Sequence, residues 1–120
     1  MKKIYLSILF LTIFSSNLFS DEHKPTKESI ERGKIVYKNN CAICHTVNGG
    51  GGMGPDFNMV SYTRPRKAIR EYAKDPYKLN KGFGYTANAM PTLPLTDKEF
   101  EDVADYIDSL QKFKKWMIKK

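Results

Sequence analysis

The stretch Cys41-Ala42-Ile43-Cys44-His45 constrains this chain more than any other. It holds both cysteines of the 120 residues and one of the two histidines. C-x-x-C-H is the sequence signature of covalent c-type haem attachment. Two residues between the thiols let one helical turn present both sulfurs to the vinyl groups of a haem edge. His45 then lies beneath the ring, with its imidazole able to reach the iron. A thioredoxin-like redox pair also uses C-x-x-C, but it needs a βαβ setting, and nothing nearby reads as parallel strands. A closed zinc site wants four ligands, and His23 is the one extra ligand the chain offers.

The length suits one domain. Residues 1–20 read as a secretory signal peptide: Lys2 and Lys3 form a basic start, Ile4 to Phe14 an apolar core, and Ser20 a small residue before Asp21. Leu18 is a poor residue at the minus-three position, which leaves the cleavage point open. The alternative is an uncleaved anchor, although the apolar stretch is short of the about 20 residues a membrane span needs. Either way the remainder is periplasmic, free or membrane-tethered. Its thiols then sit in an oxidising compartment, where a disulfide between them would close a very short loop and add little stability.

Removing residues 1–20 takes two of the 20 basic side chains and none of the 13 acidic ones, leaving a net charge of +5 before any haem propionates. A basic surface suits acidic redox proteins, a membrane respiratory complex or anionic lipid. Export and the lack of a nucleic-acid-binding motif argue against DNA or RNA. A mature chain of this size has a modest core, and this one is poor in aliphatic residues. The haem is therefore expected to supply much of the missing apolar surface, and the haem-free chain to be largely unstructured.

Along the mature chain, 21–26 is a polar, flexible lead. Thr26 can cap a helix from Lys27 to about Asn39, with Glu28 in its first turn. Ile30, Gly33, Val36 and Tyr37 would form the buried stripe. Gly33 costs about 1 kcal/mol relative to alanine inside a helix; a close helix–helix approach would explain it, and a tolerated surface glycine is the alternative. Gly49 to Gly52 form a flexible turn, not a phosphate loop, because the Lys-Ser/Thr ending and the preceding strand are absent. Pro55 offers a free carbonyl, and neutral His45 needs an acceptor for its second ring nitrogen.

Ser61 to Pro65 reads as a polar turn. Pro65 suits the first turn of a second helix, running to about Lys74 with Ala68, Ile69, Tyr72 and Ala73 inside. Asp75-Pro76 ends it. Tyr77 to Leu95 then reads as structureless, a length that a compact domain tolerates for a functional reason such as wrapping a cofactor. Thr96-Asp97-Lys98-Glu99 is a capping box. It opens a helix to about Lys112, with Phe100, Val103, Ala104, Ile107 and Leu110 on one face. Residues 113–120 complete a basic tail in which Lys114, Lys115, Lys119 and Lys120 surround Phe113, Trp116, Met117 and Ile118. Its lysines suit a helix C-terminus, and its amphipathic character also allows transient membrane contact.

The order of these motifs resembles the small class I cytochromes c from about Ser29 to Leu110. Gly33, Tyr37 and Cys41 repeat that family's glycine, aromatic and first haem cysteine at four-residue steps. Cys41, Cys44 and His45 match its haem motif, and Gly54-Pro55 its glycine–proline pair. Asp75-Pro76 and Ala89-Met90-Pro91 are similar to its methionine loop, and Val103 and Tyr106 to its last-helix contacts. The resemblance implies an all-α cytochrome c fold, with three main helices and long loops wrapped around one covalent haem c, here over residues 27–112. It implies that the Pro55 carbonyl steadies His45, that Met90 is the second axial iron ligand, and that Val103 and Tyr106 pack over Gly33.

Met53 and Met59 follow His45 too closely to reach the other haem face comfortably, and Met117 lies beyond the last helix. Met90 could instead be a gap-filling core residue, and His23 could supply a second histidine ligand. Tyr62, Arg64 and Arg66 are candidates to bind the propionates, since guanidinium suits carboxylate; ordinary surface arginines are the alternative. Trp116 lies after the last helix, so a tryptophan–propionate contact does not carry over from relatives that have one.

With both axial positions filled, the iron has no open position for substrate. The resemblance therefore implies a monomeric, non-enzymatic carrier of single electrons between periplasmic or membrane redox partners. A haem subunit of a larger oxidoreductase, such as a sulfur-oxidising complex, is the alternative. A peroxidase-like enzyme would need Met90 absent or labile.

Overall fold

The computed structural model describes residues 23–85 and 89–111. The expected signal peptide at 1–20 and the tail 113–120 lie outside the described residues; the last helix, expected to run to about Lys112, ends earlier, at Ser109 with Leu110 as its C-cap. Five helices occur among the described residues: α1 (Lys27–Asn40), α2 (Phe57–Thr63), α3 (Arg66–Lys74), α4 (Pro76–Leu79) and α5 (Asp97–Ser109). No strand occurs among the described residues. The chain thus has an all-α fold in which α1, α3 and α5 are the three main helices.

Both capped starts follow from the sequence. The Thr26 side chain accepts from the Ser29 backbone N–H while the Ser29 hydroxyl accepts from the Thr26 N–H, which closes a capping box at α1. Thr96 and Glu99 do the same at α5. Two short helices were not expected. Ser61 to Thr63 lie within α2 rather than in a polar turn, and Asp56 caps that helix through the Asn58 N–H at 2.8 Å. Pro76 does not merely end α3; it starts α4 at N1, capped by the Asp75 carboxylate. The stretch after α3 is therefore ordered into α4 and a turn through Gly84 before the irregular run 89–96.

α1 and α5 cross at Gly33. A Cβ built there would lie 1.9 Å from the Asp102 carbonyl oxygen and 2.8 Å from the Tyr106 Cβ. The glycine is required by backbone contact between helices, and its cost in helix propensity is accepted for that reason. Around the crossing, Val36, Tyr37, Val103, Ala104, Tyr106 and Ile107 are buried and join Phe57 and Ile69 in one core.

α5 is buried on more than its apolar stripe. Asp102 is 4% exposed and Asp105 0%. Each is satisfied: Arg32 donates Nε and a terminal nitrogen to Asp102 at 2.8 and 2.9 Å. Asp105 accepts from the Ser29 hydroxyl at 2.5 Å, from His23 Nε2 at 2.9 Å, and from Arg66 Nε. Burial disfavours the Asp105 charge, yet these donors outweigh it and hold the carboxyl below the usual carboxylate range. The polar network joins the N-terminal lead, α1, α3 and α5.

Candidate functional site

Residues 41–44 form a turn directly after α1, with the Cys44 and His45 N–H groups donating to the Cys41 carbonyl at 3.1 and 2.9 Å. That turn places both thiols and the imidazole on one cavity of ≈ 310 Å³. Ile69, Tyr72, Leu95, Val103 and Ile107 supply apolar wall, and Met90 lines the same space.

His45 is fixed from several sides. Its Nδ1 lies 2.9 Å from the Pro55 carbonyl oxygen. A carbonyl can only accept, so Nδ1 carries a proton, and in the neutral ring Nε2 keeps its lone pair. The ring stacks on Phe57 with centroids 4.4 Å apart and planes inclined by 19°. Gly54 is the third constraint, since a Cβ there would come within 2.2 Å of the imidazole Cε1. The loop carrying these residues is tied back to the motif. Gly54 N–H donates to the Cys44 carbonyl at 2.8 Å, and Phe57 N–H to the Thr46 carbonyl at 2.8 Å. Asp56 accepts from the Thr46 hydroxyl at 2.5 Å and the Gly49 N–H at 2.7 Å. Those bonds, Thr46 foremost, hold the Asp56 carboxyl below its ordinary range.

Both cysteines are free thiols. Burial pushes the Cys41 thiol up to about 11, with Cys44 adding to the effect. A thioredoxin-like pair needs the opposite, a thiol lowered toward the thiolate, and its strands are missing among the described residues. Zinc fares no better: no group of three or more His, Cys, Asp or Glu side chains able to hold a metal exists among the described residues. His23, the proposed extra ligand, is bonded to Asp105 instead. Two thiols on one turn, an imidazole with Nε2 free, a thioether and an apolar enclosure fit a covalently held haem.

The three residues offered for the propionates separate. Arg64 lines the cavity; it donates to the Phe83 carbonyl at 2.8 Å and stacks over the Phe83 ring at 4.5 Å. Tyr62 is exposed and does not line the cavity. Arg66 is spent elsewhere, because its guanidinium is bonded to both Glu101 and Asp105. The reason is that α3 lies against α5, whose buried Asp105 requires a cation. Sequence reasoning missed Phe57, Phe83 and Tyr85, which line the cavity. Tyr72 meets Phe83 and Tyr85 at 4.9 and 5.6 Å. The signal for Phe83 and Tyr85 was the run of aromatics in a segment otherwise rich in Gly, Lys and Asn; Phe57 had none.

A family model described as Cytochrome c matches residues 30–111. Cytochrome c6 of Porphyra purpurea is 30% identical, over 97% of this chain and 100% of its own length. Cytochrome c6 of Cyanidium caldarium is 27% identical over 83% of this chain and 88% of its length. The Cbb3-type cytochrome c oxidase subunit CcoP of Helicobacter pylori is 27% identical over 72% of this chain, which spans 29% of that longer subunit.

Proposed function

Since this chain belongs to the cytochrome c family, we propose that it carries electrons as a free protein, with His45 and Met90 as the axial ligands of its one haem. The family gives it covalently bound haem c, and its function is single-electron transfer between redox partners. When bound, that haem supplies a one-electron Fe(III)/Fe(II) couple. The observation behind the ligand assignment is that Cys41, Cys44, His45 and Met90 line a single apolar cavity.

Each side chain then has a task. Cys41 and Cys44 would hold the haem through thioethers. Pro55 keeps the proton on His45 Nδ1, which would leave Nε2 to bind the iron and make the imidazole a better donor. Met90 would supply the second ligand, a thioether that favours the reduced state. With His45 and Met90 both bound, no position would be left for substrate at the metal, which is why the proposal is a carrier and not an enzyme. Arg64 is the remaining candidate for a propionate contact.

The proposed setting is the periplasm, with acidic partners drawn to a basic surface. No helix among the described residues is long and apolar enough to cross a membrane. The likeness to an oxidase subunit supports a second reading, a haem subunit of a larger complex; stable co-purification with a larger protein would favour it.

The ligand assignment is tested with Met90→Ala. The wild-type ferric protein should show the long-wavelength sulfur-to-iron band, and the variant should lose it and bind carbon monoxide when reduced. Equal carbon monoxide binding by both proteins overturns it.

A further inference from the structure

The proximal ring of His45 is held by more than its hydrogen bond, and the geometry points to Phe57 as the positioning residue that sets the plane of that imidazole. The inference rests on His45 being an axial ligand. A bond at Nδ1 and a bond at Nε2 lie on roughly opposite edges of the ring. Both can persist while the ring turns about the line between them. The Pro55 contact at 2.9 Å therefore fixes the tautomer and tilt but resists this rotation poorly. A face-on contact resists it directly.

Phe57 supplies that contact, with centroids 4.4 Å apart and only 19° between planes. Gly54 closes in on the Cε1 edge, with room for no side chain. Phe57 is itself immobilised. It is 7% exposed, and it is gripped by Tyr37 at 5.7 Å with rings tilted by 59°. Its backbone N–H is tied to Thr46, one residue beyond His45 in sequence. A chain of rings thus runs from Tyr106 through Tyr37 and Phe57 to His45. It transmits the packing of α1 on α5 to the ligand. A branched aliphatic residue at 57 would fill similar space without a flat face, so the specific prediction concerns orientation and not merely packing.

The imidazole plane and the orientation of the Met90 thioether together set how unpaired spin would be shared among the four pyrroles, and an unchanged Met90 methyl shift in a variant assigns any reordering to the imidazole. The proton spectrum of the ferric holoprotein therefore reads it, through the order and spread of the haem methyl resonances. Phe57→Leu should change that order, and Phe57→Tyr, which retains the ring, should keep the wild-type order. Phe57→Met provides a second flat-face deletion of near-equal volume should the leucine variant fail to load haem. Stability is measured alongside, because a packing role alone lowers the melting temperature without reordering the methyls. An unchanged order in Phe57→Leu or Phe57→Met overturns the inference, as does a reordering in Phe57→Tyr equal to that of the leucine variant. The ligation reading fails separately: wild-type His45 ring protons without large paramagnetic shifts would remove it, and this inference with it.

Discussion

The Tyr37 hydroxyl donates to the main-chain carbonyl of His45 at 3.0 Å, and both residues are buried. The bond ties the last turn of α1 to the residue that follows the second cysteine. Burial holds the Tyr37 phenol above its ordinary range, so it remains a donor well above neutral pH. Tyr37→Phe leaves that carbonyl without its partner. The variant should lose about 1–2 kcal/mol in guanidinium unfolding of the holoprotein, with haem still attached.

Gly33→Ala should be worse than its single methyl suggests. The new Cβ meets the Asp102 backbone, which cannot rotate away as a side chain could. The helices must part along a core containing Val36, Val103 and Ala104. A loss of about 3 kcal/mol is expected, read as a lower denaturation midpoint. A variant as stable as wild type would mean that α1 and α5 do not cross here.

Acid should weaken the fold through α5. Burial penalises charge on Glu101, Asp102 and Asp105, yet their bonds to Arg32, Arg66, Arg70, Ser29 and His23 lower all three carboxyls. A depressed folded-state value means a contribution present above the unfolded range, near pH 4 for such groups. It is lost as pH falls below that range through the folded value. Melting temperature should therefore drop below about pH 4. Asp105→Asn should cost about 3 kcal/mol at neutral pH and flatten the acid slope. An identical slope in the variant would remove Asp105 from the account.

Haem removal should abolish cooperative melting. The cavity of ≈ 310 Å³ reaches side chains from α2, α3 and α5 and from the irregular run before α5. Without the cofactor those walls face water and not each other. Replacing Cys41 and Cys44 by Ala, which prevents attachment, should yield a chain with weak helical circular dichroism and no sharp transition. A compact, sharply melting variant would contradict this.

What could be read in advance was whatever depends on neighbours in sequence. Thr26, Thr96 and Glu99 announced helix starts, and Ile107 and its partners announced a buried face. The Cys41 to His45 motif announced the cofactor. α2 was missed because Phe57-Asn58-Met59-Val60-Ser61-Tyr62-Thr63 is short and rich in weak helix formers; its one clear signal was Asp56 as a cap. α4 was missed because Asp75-Pro76 reads equally as a stop and as a start. The engagement of Arg66 with α5 was not legible for a different reason. Its partner Asp105 is 39 positions away, and acidic side chains are rarely assigned to an interior.

The crossing at Gly33 has a consequence in time. A chain delivered N-terminus first exposes Cys41, Cys44 and His45 well before Asp97 to Ser109 can arrive to cover α1. The motif is thus open before the helix that packs on α1 exists. Arrival of the last helix then works as a clasp, closing on α1 at Gly33.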